Sequence, residues 1–156
     1  MANTYTQIHI HAVFAVQNRA SLISSKWEER LYKYITGIIR NNEHKLLAIN
    51  GIHDHIHILI GMKTTQSLSN LMQDIKGDSS KWINQNKLIM GRFSWQEGYG
   101  SFSLGKSQIK SVAAYIENQK LHHNKYSFIE EYSKILNDYE IDYDERYIFI
   151  PVSDQP

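Results

Sequence analysis

Two short apolar runs that meet at Asn50-Gly51 constrain the fold of this chain more than any other feature. The runs cover residues 46–49 and 52–60, and both are rich in isoleucine and leucine. An Asn-Gly pair between such runs is the strongest short-range signal for a tight hairpin, because both residues accept a positive φ. The sequence therefore predicts two adjacent antiparallel strands, with the turn at Asn50-Gly51.

The segments on either side of this hairpin alternate between strand and helix patterns. Residues 5–17 alternate, with Ile10 and Phe14 on one face and His9 and His11 on the other, as a strand covered on both faces would. A capping-box pattern at Ser25-Lys26-Trp27-Glu28 predicts that a helix begins there. Helical periodicity predicts helices over residues 25–42, 67–86 and 106–123. Aromatic residues with interspersed glycines predict a bulged strand over residues 93–104. We also expect a further helix over residues 128–137 and an irregular arm over residues 141–150.

The order of these elements predicts the fold class. Strand, helix, strand, strand, helix, strand is the ferredoxin-like or RRM-like βαββαβ arrangement, an α+β fold with an antiparallel sheet. The first and third strands are then neighbours at the centre of the sheet, and an appended C-terminal helix carries Tyr115. We expect one domain over residues 1–156, with a core at about 5–125 and an acidic C-terminal extension at 126–156.

Composition narrows the possible classes of site and partner. The absence of cysteine excludes disulfides and thiolate metal sites, so a metal would need nitrogen or oxygen ligands. No leader pattern or apolar run of membrane-spanning length is present, which predicts a cytoplasmic protein without a membrane partner. Residues 128–156 contain eight acidic and two basic residues, whereas residues 1–127 contain 15 basic and eight acidic residues. A basic body of this kind could bind phosphates on one face. A solvated surface on which charges cluster by chance is the alternative, and charge alone favours it.

Histidines at alternate positions suggest a metal site on the third strand. His53, His55 and His57 share one face of that strand, and two imidazoles at i and i+2 form a rigid pair of ligands for a divalent ion. Hydrogen-bonded structural histidines are the alternative. His9-Ile10-His11 has the same spacing on the first strand, so spacing alone does not choose between the pairs. If the two strands are neighbours, His9 or His11 would lie beside the metal site as a supporting group.

The helix over residues 106–123 offers groups that complement the histidines. Tyr115 and Gln119 are four residues apart and share one helical face. The Gln119 carbonyl oxygen could be a third metal ligand, and Tyr115 could be a nucleophile whose phenolate is favoured by a nearby cation. A tyrosine that only packs against the sheet is the alternative.

Two motifs together resemble a known family. The stretch Asp54-His55-Ile56-His57 resembles the histidine, apolar, histidine motif of the HUH nuclease superfamily. Tyr115-Ile116-Glu117-Asn118-Gln119, followed by His122-His123, resembles the nucleophile helix of the single-tyrosine transposases of the smallest bacterial insertion sequences, the IS200/IS605 type. Residues 75–80 and 95–99 are also similar to that family, so the likeness covers about residues 5–125.

The resemblance implies a specific activity. His55, His57 and Gln119 would bind Mg²⁺ or Mn²⁺, and Tyr115 would attack a DNA phosphate to give a 5′-phosphotyrosine link and a free 3′-hydroxyl. The substrate would be single-stranded DNA folded into hairpins. The protein would be a homodimer in which the tyrosine helix of one subunit completes the histidine site of the other. His53 has no counterpart in the motif, so it could be an extra ligand, a hydrogen-bond partner that supports the site, or incidental. The acidic extension has no role assigned from the core motifs.

Several residues are candidate DNA contacts, because unpaired bases stack on aromatic rings and lysines meet phosphates. They are Trp95, Tyr99, Phe102, Lys106 and Lys110. For Trp95 and Phe102, burial in the core is the alternative.

Two other functions are compatible with the sequence. A domesticated, transposase-derived protein would bind DNA hairpins without mobile-element activity. A small ferredoxin-like dimer that binds a metabolite or a structural metal would account for the histidines, but it leaves Tyr115 and Gln119 unexplained.

Overall fold

Four strands and five helices account for most of the structure, a computed structural model that describes residues 3–142. The strands are β1 (His9–Ala15), β2 (Lys45–Ile52), β3 (His55–Gly61) and β4 (Gly100–Leu104). The helices are α1 (Glu28–Asn41), α2 (Leu68–Gln85), α3 (Ile109–Glu117), α4 (Gln119–His122) and α5 (Phe128–Asp138). Short 3-10 turns lie at Gln17–Arg19 and Lys106–Gln108.

The sheet has the predicted ferredoxin-like topology. Its strand order is β2-β3-β1-β4, and every neighbouring pair is antiparallel. The first and third strands therefore lie side by side at the centre, as the element order predicts. Their register pairs Val13 with His57 and His11 with Leu59, which brings the histidines of both strands close together.

One face of the sheet carries the main hydrophobic core. Side chains alternate across a strand, so Ala12 and Phe14 of β1 and the isoleucines of β3 point to the same side. There they pack against α1 and α2 through Leu31 and Ile75, all of them buried. Ser67 caps α2 by accepting a hydrogen bond from the Asn70 amide.

The opposite face of the sheet is covered by the C-terminal helices. Val13 and Phe102 pack with residues of α5, and Leu59 packs with Ile116 of α3. The buried histidines His11, His55 and His57 lie on this face. A helix over residues 128–137 is confirmed as α5, whereas all but the first two residues of the predicted 141–150 arm lie outside the described part of the chain.

The predicted hairpin turn at Asn50-Gly51 is wrong. β2 continues through Gly51 to Ile52, and the turn falls at His53 and Asp54. Gly51 is opposite Ile56, and a Cβ on Gly51 would collide with the His55 carbonyl oxygen and lie 2.9 Å from the Ile56 Cα. Glycine is therefore needed for close approach of two backbones and not for a positive φ. As a consequence His53 is exposed in the turn and does not share the strand face with His55.

Three other boundaries differ from the prediction. α1 has no capping box: Trp27 occupies the cap position, and Ser24 instead accepts from the Lys26 amide. The predicted helix over residues 106–123 is divided at Asn118 into α3 and α4. The predicted strand over residues 93–104 is paired only from Gly100, apart from one bridge between Val16 and Trp95.

None of the helices in residues 3–142 combines the length and the apolar character that crossing a bilayer would require.

Gly51 provides a direct test of the register. Gly51→Ala should lower the free energy of unfolding by about 1–3 kcal/mol, because the new methyl group meets backbone atoms that cannot move aside. Gly37→Ala in α1 is the matched control, since a Cβ there has no neighbour within 4 Å and alanine favours the helix. Urea unfolding of both variants measures the difference. Equal stability of the two variants would contradict the close approach at Gly51.

Candidate active site

The histidine face of the sheet and the C-terminal helices enclose one cluster of polar side chains. β3 contributes His55 and His57, because both lie on the same side of its pleat. The α3 and α4 helices contribute Tyr115 and Gln119, and α5 contributes Glu131. With the exception of Tyr115, these five side chains are buried, so the cluster lies between the sheet and the helices.

His55 is oriented by its sequence neighbour. Its Nδ1 lies 2.7 Å from an Asp54 carboxylate oxygen, which leaves Nε2 directed into the cluster, 3.3 Å from Gln119 Oε1. Burial lowers the pKa of His55, but the hydrogen bonds with Asp54 and Glu131 outweigh burial and raise the pKa above its ordinary value. A carboxylate on Nδ1 is the common support for a metal-binding imidazole.

His57 is oriented by a second histidine. Its Nδ1 lies 2.8 Å from His11 Nε2, and the two rings stack with centroids 5.1 Å apart. Burial lowers the pKa of His57 to about 4 and that of His11 to about 3, so both rings are neutral at pH 7. Neutral imidazole is the form that binds metals. His11 thus lies beside the His55–His57 pair. His9 precedes it by two residues, at the start of β1, and is paired with Gly61.

The carboxylate of Glu131 lies at the centre of the cluster. Its Oε1 is 3.0 Å from His57 Nε2, 3.4 Å from His55 Nε2 and 3.1 Å from His123 Nε2. Its Oε2 accepts hydrogen bonds from the Tyr115 hydroxyl and, at 2.9 Å, from the Gln119 amide. Burial raises the pKa of Glu131, but the hydrogen bonds from these histidines outweigh burial and hold the pKa far below its ordinary value.

Tyr115 lies at the edge of this cluster, within its own chain. Its ring is edge-on to His57 at a centroid distance of 5.8 Å and to His11 at 6.4 Å. Burial and then the negative charge of Glu131 raise the pKa of Tyr115 well above its ordinary value, so the phenol is protonated in this arrangement. The chain therefore brings its own tyrosine to its own histidines, whereas the resemblance implies an exchange between subunits.

The donor atoms are close enough together to serve one metal ion. The nitrogens of His55, His57 and His123 and an oxygen of Glu131 all lie within 4.8 Å of one another. Gln119, the third predicted ligand, presents its Oε1 to the same region and is fully buried. The structure thus brings together His55, His57, Gln119 and Tyr115, although Asn118 interrupts the helix between the last two.

A cavity of about 410 Å³ leads to this cluster from the surface. Among the residues that line it are His11, Tyr115, His122, Glu131 and Tyr139. Through this opening a substrate could reach the Tyr115 hydroxyl.

The candidate DNA contacts divide into buried and exposed groups. Trp95 is only 7% exposed, and its indole N–H donates to Ser79 Oγ at 2.8 Å, so most of this side chain belongs to the core. Phe102 is buried as well, and Tyr99 is half-buried against the main core. Lys106 and Lys110, in contrast, are exposed in the 3-10 turn before α3 and in the first turn of α3, and they remain candidates for phosphate contacts.

Comparison with known sequences assigns the family. The sequence profile described as "Transposase IS200 like" matches residues 4–119, well over half of the chain. The chain belongs to the IS200-like transposase family.

Individual IS200-like relatives are distant in sequence. The ISDra2 transposase TnpA of Deinococcus radiodurans is 19% identical over 118 residues, which is 72% of this chain and 84% of that protein. A crystal structure assigned as a transposase from Deinococcus radiodurans superposes with a TM-score of 0.62 at 18% identity, covering 76% of this chain and 95% of that one. The REP-associated tyrosine transposase bound to a REP hairpin gives a TM-score of 0.60 at 14% identity, with 79% and 73% covered.

The match to the IS200-like family ends at Gln119, so two members of the cluster lie beyond it. His123 and Glu131 are contributed by the segment that follows the matched region. Sequence reasoning missed Glu131, although a signal existed. Phe128, Tyr132 and Leu136 form the apolar stripe of α5, and Glu131 interrupts that stripe with an acid. An acid in a core-facing position requires a partner, and the buried histidines provide it.

The neutral, buried state of His11 predicts a pH dependence of stability. The unfolded His11 binds a proton below its ordinary pKa of 6.5, whereas the folded residue, with its lowered pKa, does so only near pH 3. Stability should therefore fall as pH decreases between these values, by at most about 1.4 kcal/mol per pH unit from this residue. In His11→Gln, which keeps a hydrogen-bonding group for His57, this contribution is removed and the dependence should be shallower. Urea unfolding from pH 7 to 5 measures both slopes; parallel curves would contradict the assignment.

Proposed function

We propose that this IS200-like transposase cleaves and rejoins single-stranded DNA through Tyr115, with a divalent metal held by His55, His57 and Gln119. The observation that supports this proposal most directly is the position of the Tyr115 hydroxyl. It contacts Glu131 of a buried cluster whose histidines are already oriented by hydrogen bonds, and Tyr115 lines the cavity beside that cluster. A tyrosine that only packed against the sheet would not need these neighbours.

The donor chemistry fits a divalent ion such as Mg²⁺ or Mn²⁺. His55 and His57 have their Nδ1 atoms occupied by Asp54 and His11, so both Nε2 atoms are directed into the cluster. Gln119 adds a neutral oxygen there. When bound, such an ion would favour the phenolate and stabilise negative charge on the phosphate.

In the proposed reaction, the Tyr115 oxygen attacks a backbone phosphorus of the DNA. A tyrosine–phosphorus bond forms while the bond between phosphorus and the 3′-oxygen breaks, which leaves a 5′-phosphotyrosine and a free 3′-hydroxyl. The phenol proton is balanced by the proton that the 3′-oxygen gains. Because the phosphotyrosine retains the energy of the broken bond, a 3′-hydroxyl of a second strand can reverse the step without a nucleotide cofactor.

We further propose DNA hairpins as the substrate class. The REP-associated tyrosine transposase of similar fold is described as bound to a REP hairpin, which supports this choice by analogy. Lys106 and Lys110 are exposed at the start of the tyrosine-bearing segment, where they could contact phosphates that flank the scissile bond.

Removal of the Tyr115 oxygen should separate chemistry from binding. Tyr115→Phe should abolish the covalent adduct with single-stranded DNA from the flanks of the gene, in Mg²⁺ or Mn²⁺, and leave hairpin affinity within a few-fold. Tyr34→Phe is the matched control, since Tyr34 stacks on Trp82 in the layer of α1 and α2. Denaturing gels and filter binding give the two readouts. An adduct formed by Tyr115→Phe would show that another tyrosine is the nucleophile. If the unmodified protein binds hairpins but forms no adduct, it is the domesticated binding protein instead.

A homodimer with exchanged tyrosine helices remains a prediction of the resemblance, and Gly105 lies in the connection that an exchange would use. Mixing Tyr115→Phe subunits with His57→Ala subunits tests it. In the single-chain arrangement each site lacks one essential group, so the mixture should stay inactive. An adduct carried on the His57→Ala chain would instead establish the exchanged homodimer, because one site of each mixed dimer would then be intact.

A further inference from the structure

We infer that Glu131 of α5 is itself a ligand of the divalent metal, so that metal binding and the docking of α5 on the sheet depend on each other. This inference rests on the metal site of the proposed function. It assigns a role to the acidic segment that follows the region matched by the family. It also adds a charged oxygen to the imidazole and amide ligands of that site.

The first argument comes from the position of the carboxylate. Glu131 Oε1 faces the Nε2 atoms of His55 and His57, which are the atoms that their Nδ1 partners leave available. Ligand atoms around one divalent ion, with bonds of about 2.1 Å, lie up to about 4.2 Å apart. The donor atoms of the cluster are within 4.8 Å of one another, so an ion could be bound with small side-chain movements.

The second argument comes from charge. A carboxylate buried on the apolar stripe of a helix is destabilising unless strong partners compensate for the lost hydration. The groups that contact the Glu131 carboxylate are the imidazoles of the neighbouring histidines, the Tyr115 hydroxyl and the Gln119 amide, and none of these groups carries a permanent positive charge. A divalent cation would supply the opposite charge, and carboxylate is a preferred ligand type for Mg²⁺ and Mn²⁺.

The third argument comes from the way in which α5 is held. Phe128, Tyr132 and Leu136 pack against Val13 and Phe102 of the sheet, and this packing fixes the position of Glu131. Tyr132 also lies directly over Gly100, where a Cβ would come within 2.9 Å of its ring. A metal bound by both β3 and α5 would stabilise this docking, and by linkage the docking would strengthen metal binding.

The experiment measures Mn²⁺ binding to the full chain without DNA, by isothermal titration calorimetry. Glu131→Gln keeps the shape of the side chain and should raise the Kd for Mn²⁺ by about tenfold or more. Glu130→Gln is the matched control, because it makes the same change at the preceding residue. The Glu130 carboxylate accepts a hydrogen bond from the Ser127 hydroxyl and is not part of the cluster. Glu131→Asp, which keeps the charge on a shorter side chain, should lie between the unmodified protein and Glu131→Gln. It also provides the measurement if Glu131→Gln does not fold, as judged by circular dichroism.

Hydrogen exchange provides a second readout that does not depend on affinity alone. Saturation with Mn²⁺ should slow amide exchange over Tyr132 to Asp138 in the unmodified protein and in Glu130→Gln, but not in Glu131→Gln. Unchanged or tighter Mn²⁺ binding by Glu131→Gln would overturn the inference. Unchanged binding would leave Glu131 a structural acceptor of imidazole N–H groups, and tighter binding would make it a competitor that occupies the place of the ion.

The two proposals fail differently. If His57→Ala loses Mn²⁺ affinity while Glu131→Gln keeps it, the histidine site stands and only the role of Glu131 is overturned. If the unmodified protein does not bind Mn²⁺ at all, the metal site of the proposed function fails as well.

Discussion

The antiparallel pairing of β1 with β3 is the constraint on which the rest of the molecule depends. This pairing places β1 and β3 at the centre of the sheet. One face of the two paired strands is apolar, and the other face carries the histidines. Both faces of these central strands carry side chains that are buried, so each face is covered by its own layer of helices. The contact between His11 and His57 follows directly, since neighbouring strands bring side chains on the same face within hydrogen-bonding distance.

The parts of the fold that depend on periodicity could be predicted from the sequence. Alternation assigned the two faces of β1, and helical spacing located α1 and α2. The turn could not be located in this way, because Asn50-Gly51 has the same residues as a tight turn although Gly51 serves a close approach of strands. That distinction depends on which backbone lies opposite, and the sequence does not contain this information locally.

The residues of the candidate site also divide into those that local sequence patterns indicate and those that only the tertiary structure brings in. Local spacing was sufficient to pair His55 with His57 and Tyr115 with Gln119. Only the resemblance to the transposase family implied that the two pairs form one site. Glu131 joins the cluster only because α5 folds back over the sheet, 76 residues after His55 in the chain. Likewise, Trp95 is buried because its ring packs against Phe14 and Phe93, which are distant from each other in the sequence. Contacts of this kind are decided by tertiary packing, which composition and periodicity do not report.

The separation of the two faces of the sheet has a consequence for how such a chain can change over generations. The main core, with α1 and α2, shares no side chains with the histidine face in residues 3–142, because the pleat of β1 and β3 divides them. Substitutions that abolish chemistry on one side therefore leave most of the stabilising burial on the other side intact. A descendant could lose its catalytic groups and still be retained as a folded protein, free to acquire another role.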